Sequence, residues 1–125
     1  MADGVLVYDD DCGFCTWSAE FIGDRSDLRL VGFSELTPEL LAVLPEDYEE
    51  CAHLVTDEGV YSCGASIEEA LARSEFEPAA RPVVEALRGI DGYGDARERG
   101  YRFVADNRSF WGKFLSKTPP ARREE

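Results

Sequence analysis

The chain has 125 residues, 44% of them hydrophobic, which suits one domain with its own core. Its 26 acidic residues against 13 basic ones leave a net charge of −13, a field that repels nucleic-acid backbones and anionic membrane surfaces, so neither is an expected partner. No apolar run is long enough to cross a membrane, and Met1-Ala2-Asp3-Gly4 lacks the basic start of a secretory leader, so a cytoplasmic setting is expected.

Val5-Leu6-Val7-Tyr8 is an apolar, β-prone run between Gly4 and three aspartates, and reads as a buried strand. Gly13 to Asp24 reads as a helix whose apolar side is Phe14, Trp17, Phe21 and Ile22. Leu28 to Phe33 is a second strand. Thr37-Pro38-Glu39 starts a short helix, with Thr37 as its cap and Leu40, Leu41 and Leu44 as its apolar side. Cys51–Val55 and Val60–Cys63 flank Asp57-Glu58-Gly59, a hairpin with a three-residue turn. Ser66 and Glu69 have capping-box spacing for a helix with Ile67, Ala70 and Leu71 buried. Pro78 and Pro82 bracket a turn, and Val83 to Leu87 suggest a helical turn or two. Gly89 to Gly94 is a loop. Ala96, Gly100, Phe103, Val104, Asn107, Phe110 and Phe114 then share one helical face, and Phe110, Trp111 and Phe114 read as core.

The order β-α-β-α-β-β-α with extra C-terminal helices predicts an α/β fold with a thioredoxin-like mixed sheet. Residues 1–117 read as a single domain and 118–125 as a frayed charged tail. Among the basic residues only Lys113 and Lys117 are lysines. Acid-rich, lysine-poor chains resemble proteins of salt-in halophiles, where salt screens self-repulsion. On that reading the circular dichroism of the protein falls as salt is withdrawn; a spectrum unchanged in low salt would argue against it. A solvated acidic surface is favoured over an acidic patch for a basic partner.

Cys12-Gly13-Phe14-Cys15 lies where the first strand hands over to the first helix. Cys12 at the helix N-terminus has unpaired N–H groups and the helix dipole to stabilise its thiolate, the attacking species in disulfide exchange. Cys15, one turn in, can resolve a mixed disulfide. The same spacing is also half of many zinc sites, whose further ligands would be Cys51, His53 or Cys63, and it also occurs as two inert core residues. Asp10 and Asp11 adjoin Cys12 and oppose its thiolate, which favours a reducing poise. Asp9 reads either as a proton acceptor for a buried thiol or as a cap of the loop.

Asp9-x-x-Cys12-x-x-Cys15, preceded by Tyr8 and enclosing Gly13-Phe14, resembles the signature of the DCC family of thiol–disulfide oxidoreductases. Asp57 to Tyr61 with Gly64 to Ile67 resembles that family's hairpin and following helix, and Tyr101 to Arg108 resembles its closing helix with an Asn-Arg pair. The resemblance spans residues 4–112. It implies a thioredoxin-like fold and a redox activity, with Cys12 as nucleophile, Cys15 as resolving thiol and Asp9 as the third motif residue. The substrate would be a disulfide-containing protein or a small thiol, with an external reductant. No cofactor and no resident metal is expected. The alternative is a non-enzymatic zinc-binding or interaction domain of the same fold.

In a hairpin with a three-residue turn, Cys63 faces His53 and lies diagonal to Cys51, too far for a disulfide. Both are therefore expected as buried free thiols, with Cys63 a candidate third redox thiol. The N–H groups of Gly64, Ala65 and Ser66 open a helix and form a candidate binding site for a substrate carboxylate. His53 reads as a half-buried strand residue. Asn107 and Arg108 read as a tie between the last helix and a carboxylate such as Asp9.

Overall fold

The computed structural model describes residues 4–115; the expected tail at 118–125 lies outside them. The first apolar run forms β1 (Val5–Tyr8), and helix α1 (Gly13–Gly23) carries the chain over to β2 (Arg29–Gly32), which pairs parallel to β1. After the short helix α2 (Pro38–Val43), β3 (His53–Thr56) pairs antiparallel to β1, and β4 (Gly59–Ser62) antiparallel to β3. The sheet order is β2-β1-β3-β4, the mixed thioredoxin-like sheet that the chain order predicts. Helices α3 (Gly64–Ala72), α4 (Glu77–Arg88), α5 (Tyr93–Asp106) and α6 (Arg108–Trp111) follow. Leu6, Tyr8 and Leu54 from the sheet meet Ala19 and Ile22 of α1, Ala70 of α3, and Leu28 just before β2 in the core. Among the described residues, no helix is long and apolar enough to cross a membrane.

Several local expectations change. The side of α1 that enters the core carries Thr16, Ala19 and Ile22. Phe14 and Trp17 lie along its flank, stacked in a row with Phe21 at centroid distances of 6.4 and 5.5 Å, and Phe21, which also packs against the core as expected, continues the row to Phe76 at 6.5 Å. Small residues let the helix approach the strands closely, and the aromatics find their area on each other. Thr37 caps α2 as expected, its hydroxyl oxygen accepting from the Leu40 N–H at 3.3 Å, but α2 buries none of its residues. Pro78 and Pro82 lie inside α4 rather than bracketing a turn. A proline in the first helical turn loses nothing, and Pro82 forfeits one bond to the carbonyl four residues back. The expected single helical face after Gly94 is broken at Asn107 between α5 and α6. Phe103, Phe110 and Phe114 are exposed, so the last two are not core.

The capping box is not formed. Cys63 precedes α3, Ser66 donates its hydroxyl to the Cys63 carbonyl at 2.6 Å, and Glu69 is buried elsewhere. Glu69 pairs with Arg73 at 2.7 Å, Arg88 at 2.9 Å and Arg81 at 3.2 Å. Glu68 pairs with Arg88 at 2.7 Å and Arg97 at 3.2 Å, and accepts from the Tyr93 hydroxyl. This network ties α3 to α4 and α5.

Asp10, 2% exposed, bonds the Ser34 N–H at 3.3 Å and the Ser34 hydroxyl, and so fastens the loop after β1 to the chain after β2. A Cβ at Gly32 would overlap the Asp10 carboxylate. Gly32→Ala is expected to cost about 1–3 kcal/mol by forcing these groups apart. A urea midpoint equal to that of the parent would contradict this.

Candidate active site

β1 ends at Tyr8, and the following loop delivers Cys12 to the N-cap of α1 in an extended conformation. From there the Cys12 sulfur accepts the backbone N–H of Cys15 at 3.2 Å. The first turn is locked by Thr16, fully buried, whose N–H and hydroxyl both donate to the Cys12 carbonyl at 2.9 Å. Neither Cys12 nor Cys15 is in a disulfide, and both are half-buried.

The two thiols are driven apart electrostatically. The Cys15 thiol donates to the Cys12 sulfur, and this bond, the Cys15 N–H and the Arg108 charge lower the Cys12 pKa to about 6 against burial and the Asp9 charge. The same shared bond, burial and the Cys12 charge push the Cys15 thiol far upward, with Arg108 acting the other way. One sulfur is thus a thiolate near neutrality and the other holds the proton. Alkylation of Cys12 is therefore expected to follow a single titration with half-maximal rate near pH 6, slow below it where the thiol is protonated. A midpoint near 9, the ordinary thiol value, would contradict the arrangement.

The acidic run acts differently from its expected role. Asp10 turns inward to Ser34, and Asp9 is the carboxylate that opposes the Cys12 thiolate. Asp9 caps the loop, one oxygen accepting the Asp11 N–H at 3.0 Å, and its other oxygen meets Arg108 Nη1 at 3.2 Å. The expected tie between the last helix and Asp9 is made by Arg108, whereas Asn107 donates its side-chain amide to the Phe103 carbonyl at 2.7 Å. The same Nη1 lies 3.9 Å from the Cys15 sulfur, a contact that sequence reasoning missed because the two residues are 93 positions apart.

The other candidates fall elsewhere. The Gly64 and Ala65 N–H groups donate to the Glu98 carboxylate at 2.8 and 3.1 Å, and the Ser66 N–H to the Cys63 carbonyl at 3.0 Å. The helix start expected to hold a substrate carboxylate is filled by one of the chain's own. His53 is buried, not half-buried, with Nδ1 2.8 Å from the Ser62 hydroxyl and Nε2 2.8 Å from the Tyr48 carbonyl. Cys51 and Cys63 are joined as a disulfide, with Cα atoms 5.1 Å apart, and are not free thiols. The hairpin turn is one residue shorter than expected, so Thr56 faces Gly59 and His53 faces Ser62. Gly59 takes φ +141°, which a residue with a side chain resists. The shift moves Cys63 level with Ala52, whose carbonyl accepts the Cys63 N–H at 2.8 Å, and so beside Cys51.

A cavity of about 770 Å³ opens between α1, α3, α4 and α5, with Asp9, Cys15, Cys51, Tyr101 and Arg108 in its wall. Tyr101 accepts the Ala52 N–H at 3.0 Å.

Compared with known proteins, residues 6–114 match the family model described as DCC1-like thiol-disulfide oxidoreductase. No curated protein and no solved structure matches the chain.

Proposed function

The chain belongs to the DCC1-like thiol-disulfide oxidoreductase family, and on that premise we propose that it exchanges disulfides through Cys12 and Cys15. The Cys12 thiolate attacks one sulfur of a substrate disulfide, and the other substrate sulfur leaves as a thiolate and takes a proton. Cys15 then gives up its proton and attacks Cys12, releasing the second substrate thiol and closing a Cys12–Cys15 disulfide. An external thiol reductant restores the pair. The observation that carries this reading is the bond from the Cys15 N–H to the Cys12 sulfur at the helix start, which favours the attacking thiolate.

Asp9 is the acceptor proposed for the Cys15 proton, and Arg108, touching both, stabilises the Cys15 thiolate as it forms. A stabilised Cys12 thiolate favours the reduced pair, so the poise is less reducing than the acidic run suggests. The substrate is a disulfide in a protein or a small thiol, and neither nucleic acid nor a membrane is needed for the exchange.

The zinc alternative draws on Cys51, Cys63 and His53, which are engaged in the disulfide and in bonds to Ser62 and Tyr48. Trapping tests the proposal. Cys15→Ser, challenged with glutathione disulfide, should gain the mass of one glutathione at Cys12. A chain that gains no mass there would refute it.

A further inference from the structure

We infer that Cys51 and Cys63 are a second redox pair, which takes the disulfide from Cys12–Cys15 by direct exchange within the chain. The inference rests on the redox reading of Cys12 and Cys15. All four cysteines converge on one end of the sheet. β1 leads to Asp9 and Cys12, α1 carries Cys15, Cys51 precedes β3, and Cys63 follows β4. The antiparallel register of β1 and β3, Val5 with Val55 and Val7 with His53, runs on toward Asp9 and Cys51. Asp9, Cys15 and Cys51 line the same cavity. Tyr101 lines that cavity too. Its hydroxyl holds the Ala52 N–H next to Cys51, and burial raises its own pKa.

The exchange starts from a Cys12–Cys15 disulfide and reduced Cys51 and Cys63. The Cys51 thiolate attacks the Cys15 sulfur, the Cys12–Cys15 bond breaks, and Cys12 leaves as a thiolate. Cys63, as a thiolate, attacks Cys51, which closes Cys51–Cys63 and releases Cys15. The proton lost by Cys63 goes to Cys15, and that lost by Cys51 goes to solvent. Two electrons pass from the second pair to the first. A thiol whose thiolate is stabilised leaves fastest, and Cys12, which accepts the Cys15 N–H at the start of α1 and faces the Arg108 charge, is that leaving group. The structure itself, with Cys12 and Cys15 reduced and Cys51 joined to Cys63, has the disulfide where this transfer ends.

Two measurements test it. The fully reduced protein is given one equivalent of glutathione disulfide, quenched by alkylation at intervals and mapped by peptide mass. The bond should appear first at Cys12–Cys15 and then migrate to Cys51–Cys63. A bond that stays at Cys12–Cys15 would overturn the transfer and leave the activity of the first pair standing. No bond at either pair would overturn the activity itself. Separately, the doubly substituted chain Cys12→Ser, Cys63→Ser, oxidised with diamide, should link Cys15 to Cys51 in most molecules. If both thiols stay free, or link only between molecules, the two sulfurs do not meet.

Discussion

Cys12→Ser is expected to lower the rate of disulfide reduction to that of the buffer, whereas Cys15→Ser should keep the first attack and stall after one turnover. The difference follows from the unequal environments of the two sulfurs. Cys12 accepts the N–H and the thiol of Cys15 at the start of α1 and is held as a thiolate with pKa about 6. A serine hydroxyl in the same place stays protonated and cannot replace it as nucleophile. Cys15 keeps its proton, so its loss removes the resolving step and one of the bonds that stabilise Cys12. Pre-steady-state release of a chromogenic thiol separates the two phases. Equal burst sizes for Cys12→Ser and Cys15→Ser would contradict the assignment.

Glu69→Ala is expected to destabilise the fold by about 3 kcal/mol, the lower end for breaking a buried ion pair, because the arginines left behind retain some access to water. Glu69 is 1% exposed, and Arg73, Arg81 and Arg88 all converge on it. Burial pushes its carboxyl pKa up, but the bonds from Arg73 and Arg88 and the charge of Arg81 outweigh burial and hold it below the ordinary 4.5. The sign follows for pH. A depressed carboxyl pKa contributes stability that is complete above 4.5 and is lost as pH falls through the lower folded-state value. Denaturant midpoints should converge for the parent and Glu69→Ala in strong acid and diverge above pH 5. A difference that does not depend on pH would point to lost packing instead. The Cys12 alkylation rate should be unchanged, because Glu69 supports the helices and does not touch the thiols.

The strand-to-helix placement of the cysteine pair was legible because it needs only local patterns. The run Val5 to Tyr8, the break at the aspartates and the helix after Gly13 are short-range signals, and the sheet order followed from them. The hairpin register was not legible, because a two-residue and a three-residue turn fit Asp57-Glu58-Gly59 equally well. That single residue decided whether Cys51 and Cys63 could meet. Glu98 and Tyr101 reach the sheet end from α5, and no local pattern announces such partners; Arg108 was legible as a partner of Asp9 but not of Cys15. The Ser66–Glu69 spacing misled for the converse reason. Glu69 has the sequence of a cap residue, but Arg73 one turn on and the more distant Arg81 and Arg88 offer it more than the helix N-terminus does.

The central claim is that Cys12 and Cys15 cycle between dithiol and disulfide. A redox titration of Cys51→Ser, Cys63→Ser isolates them. The chain is equilibrated in glutathione buffers of stepped ratio, the free thiols are alkylated and weighed, and bound zinc is measured in the same samples. The account predicts that Cys12 and Cys15 lose reactivity together in one two-electron transition, with no zinc bound. Thiols that stay free at every ratio, or one zinc per chain that masks both, would contradict it.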